Sequence, residues 1–160
     1  MAFISQEEKK AMMPAIKAVL NKYGQKGSVR IANHSKIICT VKSGKLDIMG
    51  AQKQAALNSN RFDRYCPGDV DQLNWVLART NAEVNCYYVD EDHYADSEVV
   101  KFLNELTAAL KGPNFFDESD SQSDYFHCSH YVAIKIGQYD KPYVCSGTAK
   151  QFDPVELKVA

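Results

Sequence analysis

The stretch from Asp96 to Gly112 constrains the fold most, because its pattern fits only one kind of element. Asp96 is a typical N-cap residue, and Lys111-Gly112-Pro113 is a typical helix end. Between them the apolar residues recur at helical spacing and form one stripe, made of Val99, Phe102, Leu103, Leu106, Ala109 and Leu110. We therefore predict an amphipathic helix over 96–111 that buries one face in a core.

Two further elements are predicted in the N-terminal part of the chain. Ser5 and Glu8 form a capping box, and the apolar stripe that follows predicts a helix ending near Gly24. Pro14 lies inside this helix, so it either kinks the helix or opens a second helical segment. Alternation over 28–45 then predicts a β-hairpin that turns at 33–35, with a third short strand over 45–50.

The rest of the chain is less regular. Residues 51–58 suggest a short helix, 59–68 a loop with Pro67-Gly68 as a breaker, and 70–77 a short helix capped by Asp69 or Asp71. Strands are predicted over 82–89, 125–136 and 142–146, the last two joined as a hairpin.

Helices and strands do not alternate regularly in this order, which argues against a doubly wound parallel sheet. We predict an α+β fold in which two main helices pack on a mainly antiparallel sheet of about five strands. A chain of 160 residues suits a single domain over 1–160.

Charge is distributed unevenly although the net charge is −1. Residues 1–45 carry nine Lys or Arg and two Glu, whereas 86–130 carry ten Asp or Glu and two Lys. Such blocks influence association and steering, unless the two halves neutralise each other in the folded protein. The sequence contains no apolar run of membrane-spanning length and no signal peptide, so a cytoplasmic location in the host cell is predicted.

Two histidines and a cysteine crowd the run "SDYFHCSHYVAIKIG" over 123–137. Because strand side chains alternate, His127 and His130 point to opposite faces and cannot chelate one ion as neighbours. Cys128 and His130 share the face of Ile134, which predicts a core-facing pair. The five cysteines are odd in number and widely spaced, so we expect them to be reduced and structural.

The acidic runs 90–96 and 117–124 are expected to be solvated loops, because they lack the spacing of a calcium loop. If both runs lie at one end of the sheet, they form an acidic patch rich in aromatic residues. The sequence also lacks the motif spacings of a phosphate loop, a nucleophile elbow or a zinc site, so neither a cofactor nor a metal is predicted.

Several short motifs together resemble one of the large polyvalent protein-associated domain families of bacteriophages and conjugative elements. They are Lys22-Tyr23-Gly24, Lys26-Gly27-Ser28, Asn33-His34-Ser35, Asp120, Asp124-Tyr125-Phe126, Tyr131-Val132, Ile136-Gly137 and Lys141-Pro142-Tyr143. The chain departs from the family pattern at 127–130, where Asp, a small residue and Trp are expected. That departure weakens a metal or nucleophile role for His127, Cys128 or His130. The resemblance implies an accessory protein of a phage or mobile element, acting in counter-defence.

We therefore expect a protein that acts by binding rather than catalysis, with a host protein or a small nucleotide as its partner. The predicted binding residues are His34, Ser35, Asp120, Asp124, Tyr125, His127 and Tyr143. One alternative is a small metal-dependent hydrolase or nuclease with His34 or His93 as base. Another is nucleic-acid binding by the basic N-terminal helix, which the net charge does not favour. No membrane partner is expected, and self-association stays open.

Overall fold

The computed structural model describes residues 2–119, 122 and 128–159. Its elements, in chain order, are α1 (Gln6–Lys22), β1 (Gln25–Ala32), β2 (Lys36–Gly44), α2 (Ile48–Asn58), α3 (Pro67–Leu77), β3 (Ala82–Val84), α4 (Ser97–Lys111), β4 (Tyr131–Ile136) and β5 (Val144–Cys145). The α+β class predicted from the sequence is confirmed.

The predictions for the first helix and the first hairpin hold in detail. In the capping box of α1, the Glu8 backbone N–H donates to Ser5 Oγ and the Ser5 N–H donates to the Glu8 carboxylate. The helix continues through Pro14, so Pro14 does not open a second helix. The hairpin turns at Asn33 and His34, whose φ angles of 53° and 58° are those that a type I′ turn requires.

The sheet is mixed, so the prediction of a mainly antiparallel sheet is only partly right. Its strand order is β1-β2-β4-β3, and β5 pairs with the far end of β2. The β1–β2 and β3–β4 pairs are antiparallel, whereas β2 pairs in parallel with both β4 and β5. A parallel pair needs a long crossover, which here runs through α2, α3, β3 and α4.

The prediction that the last two strands form a hairpin is also wrong, because β5 pairs with β2 and not with β4. Both edges of β4 are already occupied, by β2 on one side and by β3 on the other. The pairing of β4 with β2 ends at Val41↔Ile136, which leaves the edge of β2 open at Ser43 and Gly44. There β5 adds in parallel.

Three element boundaries in the middle of the chain also differ from the prediction. No third strand forms over 45–50, because the Asp47 carboxylate caps α2 by accepting from the Gly50 N–H. Pro67 opens α3 at its first turn, while the carboxylate of Asp69 accepts from the N–H of Asp63 in the preceding loop. β3 stops at Val84, because the Asn85 side chain accepts from the Tyr87 N–H and turns the chain.

Two apolar clusters hold these elements together. In the main cluster, α1 and α4 pack on the sheet, with Ile16, Phe102, Leu103, Leu106 and Ile134 fully buried. A smaller cluster joins Ala56, Leu73 and Leu77 to the C-terminal segment, which Asn74 fixes by two hydrogen bonds to the Val155 backbone. No helix in the described part of the chain is long and apolar enough to span a membrane.

Candidate functional site

The parallel pairing of β2 and β4 creates a cleft at one end of the sheet. Lys36 lies beside Tyr131 in register, so the first residues of the two strands are neighbours. The segment before β4 is held in place by backbone hydrogen bonds from Tyr131 N to Ser35 O (2.8 Å) and from Ser129 N to Phe116 O (2.9 Å). The cleft that opens in front of these strands has a volume of about 720 Å³.

This sheet-end cleft brings cations, aromatic rings and thiols together. Its lining residues are Asn33, Ser35, Lys36, Cys86, Tyr87, Lys111, Phe115, Asp117, Ser119, Cys128, His130, Tyr131 and Val132. The ammonium group of Lys111 lies 5.0 Å from the centre of the Phe115 ring, within cation–π range. Tyr87 and Tyr131 are 85% and 49% exposed, so their rings are open to a ligand.

His130 and Cys128 behave as the core-facing pair predicted from strand alternation, being 7% and 5% exposed. Nε2 of His130 lies 2.9 Å from the Leu110 carbonyl oxygen. A carbonyl only accepts, so Nε2 carries the proton and is not the atom that takes a proton from a thiol. The edge of the Phe115 ring packs on the imidazole at a centroid distance of 5.4 Å and fixes its orientation.

Cys86, one of the two thiols of the cleft, is not an activated nucleophile. Burial raises the pKa of Cys86, which outweighs the opposing hydrogen bond from Thr107, so the thiol form is favoured at neutral pH. The neighbouring Cys128 side chain raises the pKa of the Tyr131 phenol, first through an electrostatic interaction and then through a hydrogen bond. All five cysteines are free; Cys39 and Cys128 are buried, and the other three are partly buried.

The predicted binding residues do not meet at one place. Ser35 lines the sheet-end cleft, and His34 lies beside it, exposed at the tip of the hairpin. Tyr143 lies near the opposite end of β2, roughly 23 Å from Ser35 at the usual rise per strand residue. Its hydroxyl donates to the Leu46 carbonyl (2.6 Å) and accepts from Nε2 of Gln25 (2.8 Å), and burial raises its pKa to about 12. Asp120, Asp124, Tyr125 and His127 lie outside the described residues.

The two acidic runs contribute to different cavities. Asp117 lines the sheet-end cleft, whereas Asp92 and His93 lie in a second pocket that has no lining residue in common with it. Nδ1 of His93 lies 2.6 Å from the Asp90 carboxylate, whose pKa is lowered first by this hydrogen bond. Over the described residues, no three His, Cys, Asp or Glu side chains lie close enough to hold a metal ion.

One ion pair joins the basic and acidic halves of the chain. Nζ of Lys22 lies 2.7 Å from the Glu105 carboxylate, which also accepts from the Tyr23 hydroxyl. Lys22, and then Tyr23, lower the pKa of Glu105 through these hydrogen bonds. Among the described residues this is the only direct pair between the two halves, so most of the charge segregation remains at the surface.

Sequence reasoning missed the residues that give the cleft its chemistry. The sequence indicates a strand around Lys36 and a helix end at Lys111, but it does not indicate that β2 and β4 are neighbours. Comparisons with protein-family models, curated proteins and solved structures found no significant match to this chain.

Proposed function

We propose that the protein binds a small nucleotide in the sheet-end cleft and acts by binding rather than catalysis. The observation that carries the proposal is the convergence of Lys36 and Lys111 with the rings of Tyr87, Phe115 and Tyr131 on one cleft. Lysine ammonium groups pair with phosphate oxygens, and aromatic faces stack on bases. A volume of about 720 Å³ is within the range of small-molecule sites.

The polar groups and thiols of the cleft support binding over chemistry. Ser35 and Asn33 supply donors and acceptors beside the lysines, where a ribose would lie. Cys86 is held in its thiol form, and Nε2 of His130 is committed to a backbone carbonyl. The wider role, an accessory protein of a phage or mobile element acting in counter-defence, is supported by the sequence resemblance.

Isothermal titration calorimetry tests the proposal with nucleoside mono-, di- and triphosphates against the parent nucleosides. We expect at least one nucleotide to bind, and its nucleoside to bind at least tenfold more weakly because it lacks the phosphate. Lys36→Ala and Lys111→Ala are each expected to weaken binding.

Lys42→Ala is the matched control, because Lys42 is exposed on the same strand as Lys36 but lies outside the cleft. It is expected to bind like the unchanged protein. Absence of binding across the panel, or equal weakening by Lys42→Ala and Lys36→Ala, would overturn the proposal.

A second candidate, a small metal-dependent hydrolase or nuclease, is favoured by the contact between His93 and Asp90. A carboxylate on one ring nitrogen orients an imidazole so that the other nitrogen can act as a base. The test is turnover of a phosphodiester substrate with Mg²⁺ or Mn²⁺. His93→Ala is expected to abolish turnover and His34→Ala to preserve it, and absence of turnover in the unchanged protein rejects this candidate.

A further inference from the structure

A second pocket lies on the other side of the turn that follows β3. We call it the loop pocket; its lining residues include Gln52, Arg61, Arg79, Glu83, Asp92 and His93. They come from α2, the loop after it, the end of α3, β3 and the segment before α4. The volume is about 200 Å³, much smaller than that of the sheet-end cleft.

Two arginines supply the positive side of the loop pocket. The guanidinium carbon of Arg61 lies 4.9 Å from the centre of the Phe62 ring, and that of Arg79 lies 4.8 Å from Trp75. Each ring orients its guanidinium group without neutralising it. Neither arginine forms an ion pair with a described carboxylate, so both retain their rigid donor forks for a carboxylate ligand.

Three acceptors of the loop pocket also lack a side-chain partner among the described residues. Oε1 of Gln52 is buried and has no hydrogen-bond partner among the residues that the structure describes. A buried acceptor without a donor is costly, and a ligand that brings an N–H group removes that cost. Glu83 and Asp92 lie exposed at the rim, and neither forms an ion pair with a described basic side chain.

Charges of both signs therefore line one small cavity without pairing with each other. A simple anion would satisfy the arginines and leave Oε1 of Gln52 unpaired, whereas a metal cation would face the two arginines. A ligand that carries both a carboxylate and an ammonium group meets every unpaired group at once. The stacked rings of Tyr88 and His93, at a centroid distance of 5.6 Å, form one wall for the rest of such a molecule.

We propose that the loop pocket binds a small zwitterion of the α-amino-acid class. Its carboxylate lies on Arg61 and Arg79, and its ammonium group donates to Oε1 of Gln52 beside Asp92 and Glu83. The proposal does not rest on nucleotide binding, because the two cavities have no lining residue in common.

The test is titration of the full chain with each of the common free amino acids by calorimetry or ligand-observed NMR. For any amino acid that binds, two derivatives serve as control ligands: its amide, which lacks the carboxylate, and its N-acetyl derivative, which lacks the ammonium group. Both are expected to bind at least tenfold more weakly, and inorganic phosphate is the probe for an anion-only site. Absence of binding at millimolar amino acid, equal binding of either derivative, or equally tight binding of phosphate overturns the proposal.

Variants separate loss of the site from loss of the fold. Arg79→Gln is expected to weaken amino-acid binding at least fivefold, whereas Arg30→Gln, an exposed arginine on β1 outside both cavities, leaves it unchanged. Gln52→Leu is expected to weaken binding while the melting temperature stays the same or rises, because an unpaired buried acceptor is removed. Unchanged affinity in both Arg79→Gln and Gln52→Leu rejects the site, whatever the nucleotide titrations show.

Discussion

Substitution of Tyr143 by Phe tests whether this residue stabilises the fold or binds the ligand. The change removes the hydroxyl that donates to the Leu46 carbonyl at 2.6 Å and accepts from Gln25 Nε2 at 2.8 Å. Two groups then lose their partner, and each such group costs about 1–3 kcal/mol when buried. Because Tyr143 itself is only half-buried, we take the lower end for both, a loss of about 2 kcal/mol in the free energy of unfolding.

Thermal and urea unfolding measure this loss. A change of 1 kcal/mol shifts the melting temperature of a chain of this size by about 2–4 °C, so Tyr143→Phe is expected to lower it by about 4–8 °C. Tyr139→Phe is the matched control, because Tyr139 is 93% exposed, and it should stay within about 0.5 kcal/mol. Nucleotide affinity should not change, since Tyr143 lies at the opposite end of β2 from the sheet-end cleft. A variant with normal stability and no nucleotide binding would refute this reasoning.

Two further predictions concern the backbone and the alkaline limit of stability. Gly137 has φ +67°, and a Cβ there would lie 2.5 Å from the Tyr143 backbone nitrogen, so Gly137→Ala should cost more than about 1–2 kcal/mol. An added Cβ at Gly68 in α3 meets no atom within 4 Å, so Gly68→Ala should raise the free energy of unfolding by about 0.5–1 kcal/mol. Equal effects of Gly137→Ala and Gly68→Ala in urea unfolding would contradict the structure. Burial raises the pKa of Cys39, Tyr94 and Tyr143 to about 12 in the folded protein. The unfolded chain loses these protons at lower pH than the folded protein, so the free energy of unfolding should fall from about pH 9 towards 12. The fall should be less steep in Tyr143→Phe, which lacks one of the three groups. A flat profile from about pH 9 to 11 would count against this prediction.

Elements that depend on local signals were predictable from the sequence. The capping box at Ser5 and Glu8, the turn at Asn33 and His34, and the stripe that ends at Gly112 all appear where expected. In each of them the residues that determine the structure are within a few positions of one another. A single sequence is sufficient for such features because propensity and packing agree.

Pairing between distant strands was not predictable in the same way. The prediction of a terminal hairpin rested on the short link around Gly137, but whether β5 can join β4 depends on which strands already occupy its edges. That is decided by β2 and by β3, far back in the chain. Lys36 and Tyr131, which open the cleft, are neighbours only because of this long-range parallel pairing.

The turn after β3 separates the lining residues of the two cavities. Cys86 and Tyr87 line the sheet-end cleft, whereas Asn85 and Tyr88 on either side of them line the loop pocket. The side chain of Asn85 folds back on the Tyr87 N–H, and this turn lets consecutive residues face different cavities. Of the two acidic runs, Asp92 lines the loop pocket and Asp117 lines the sheet-end cleft, whereas Asp120 and Asp124 lie outside the described residues. Charge along the sequence therefore does not show which cavity a side chain lines, because at this Asx turn consecutive residues line two different cavities.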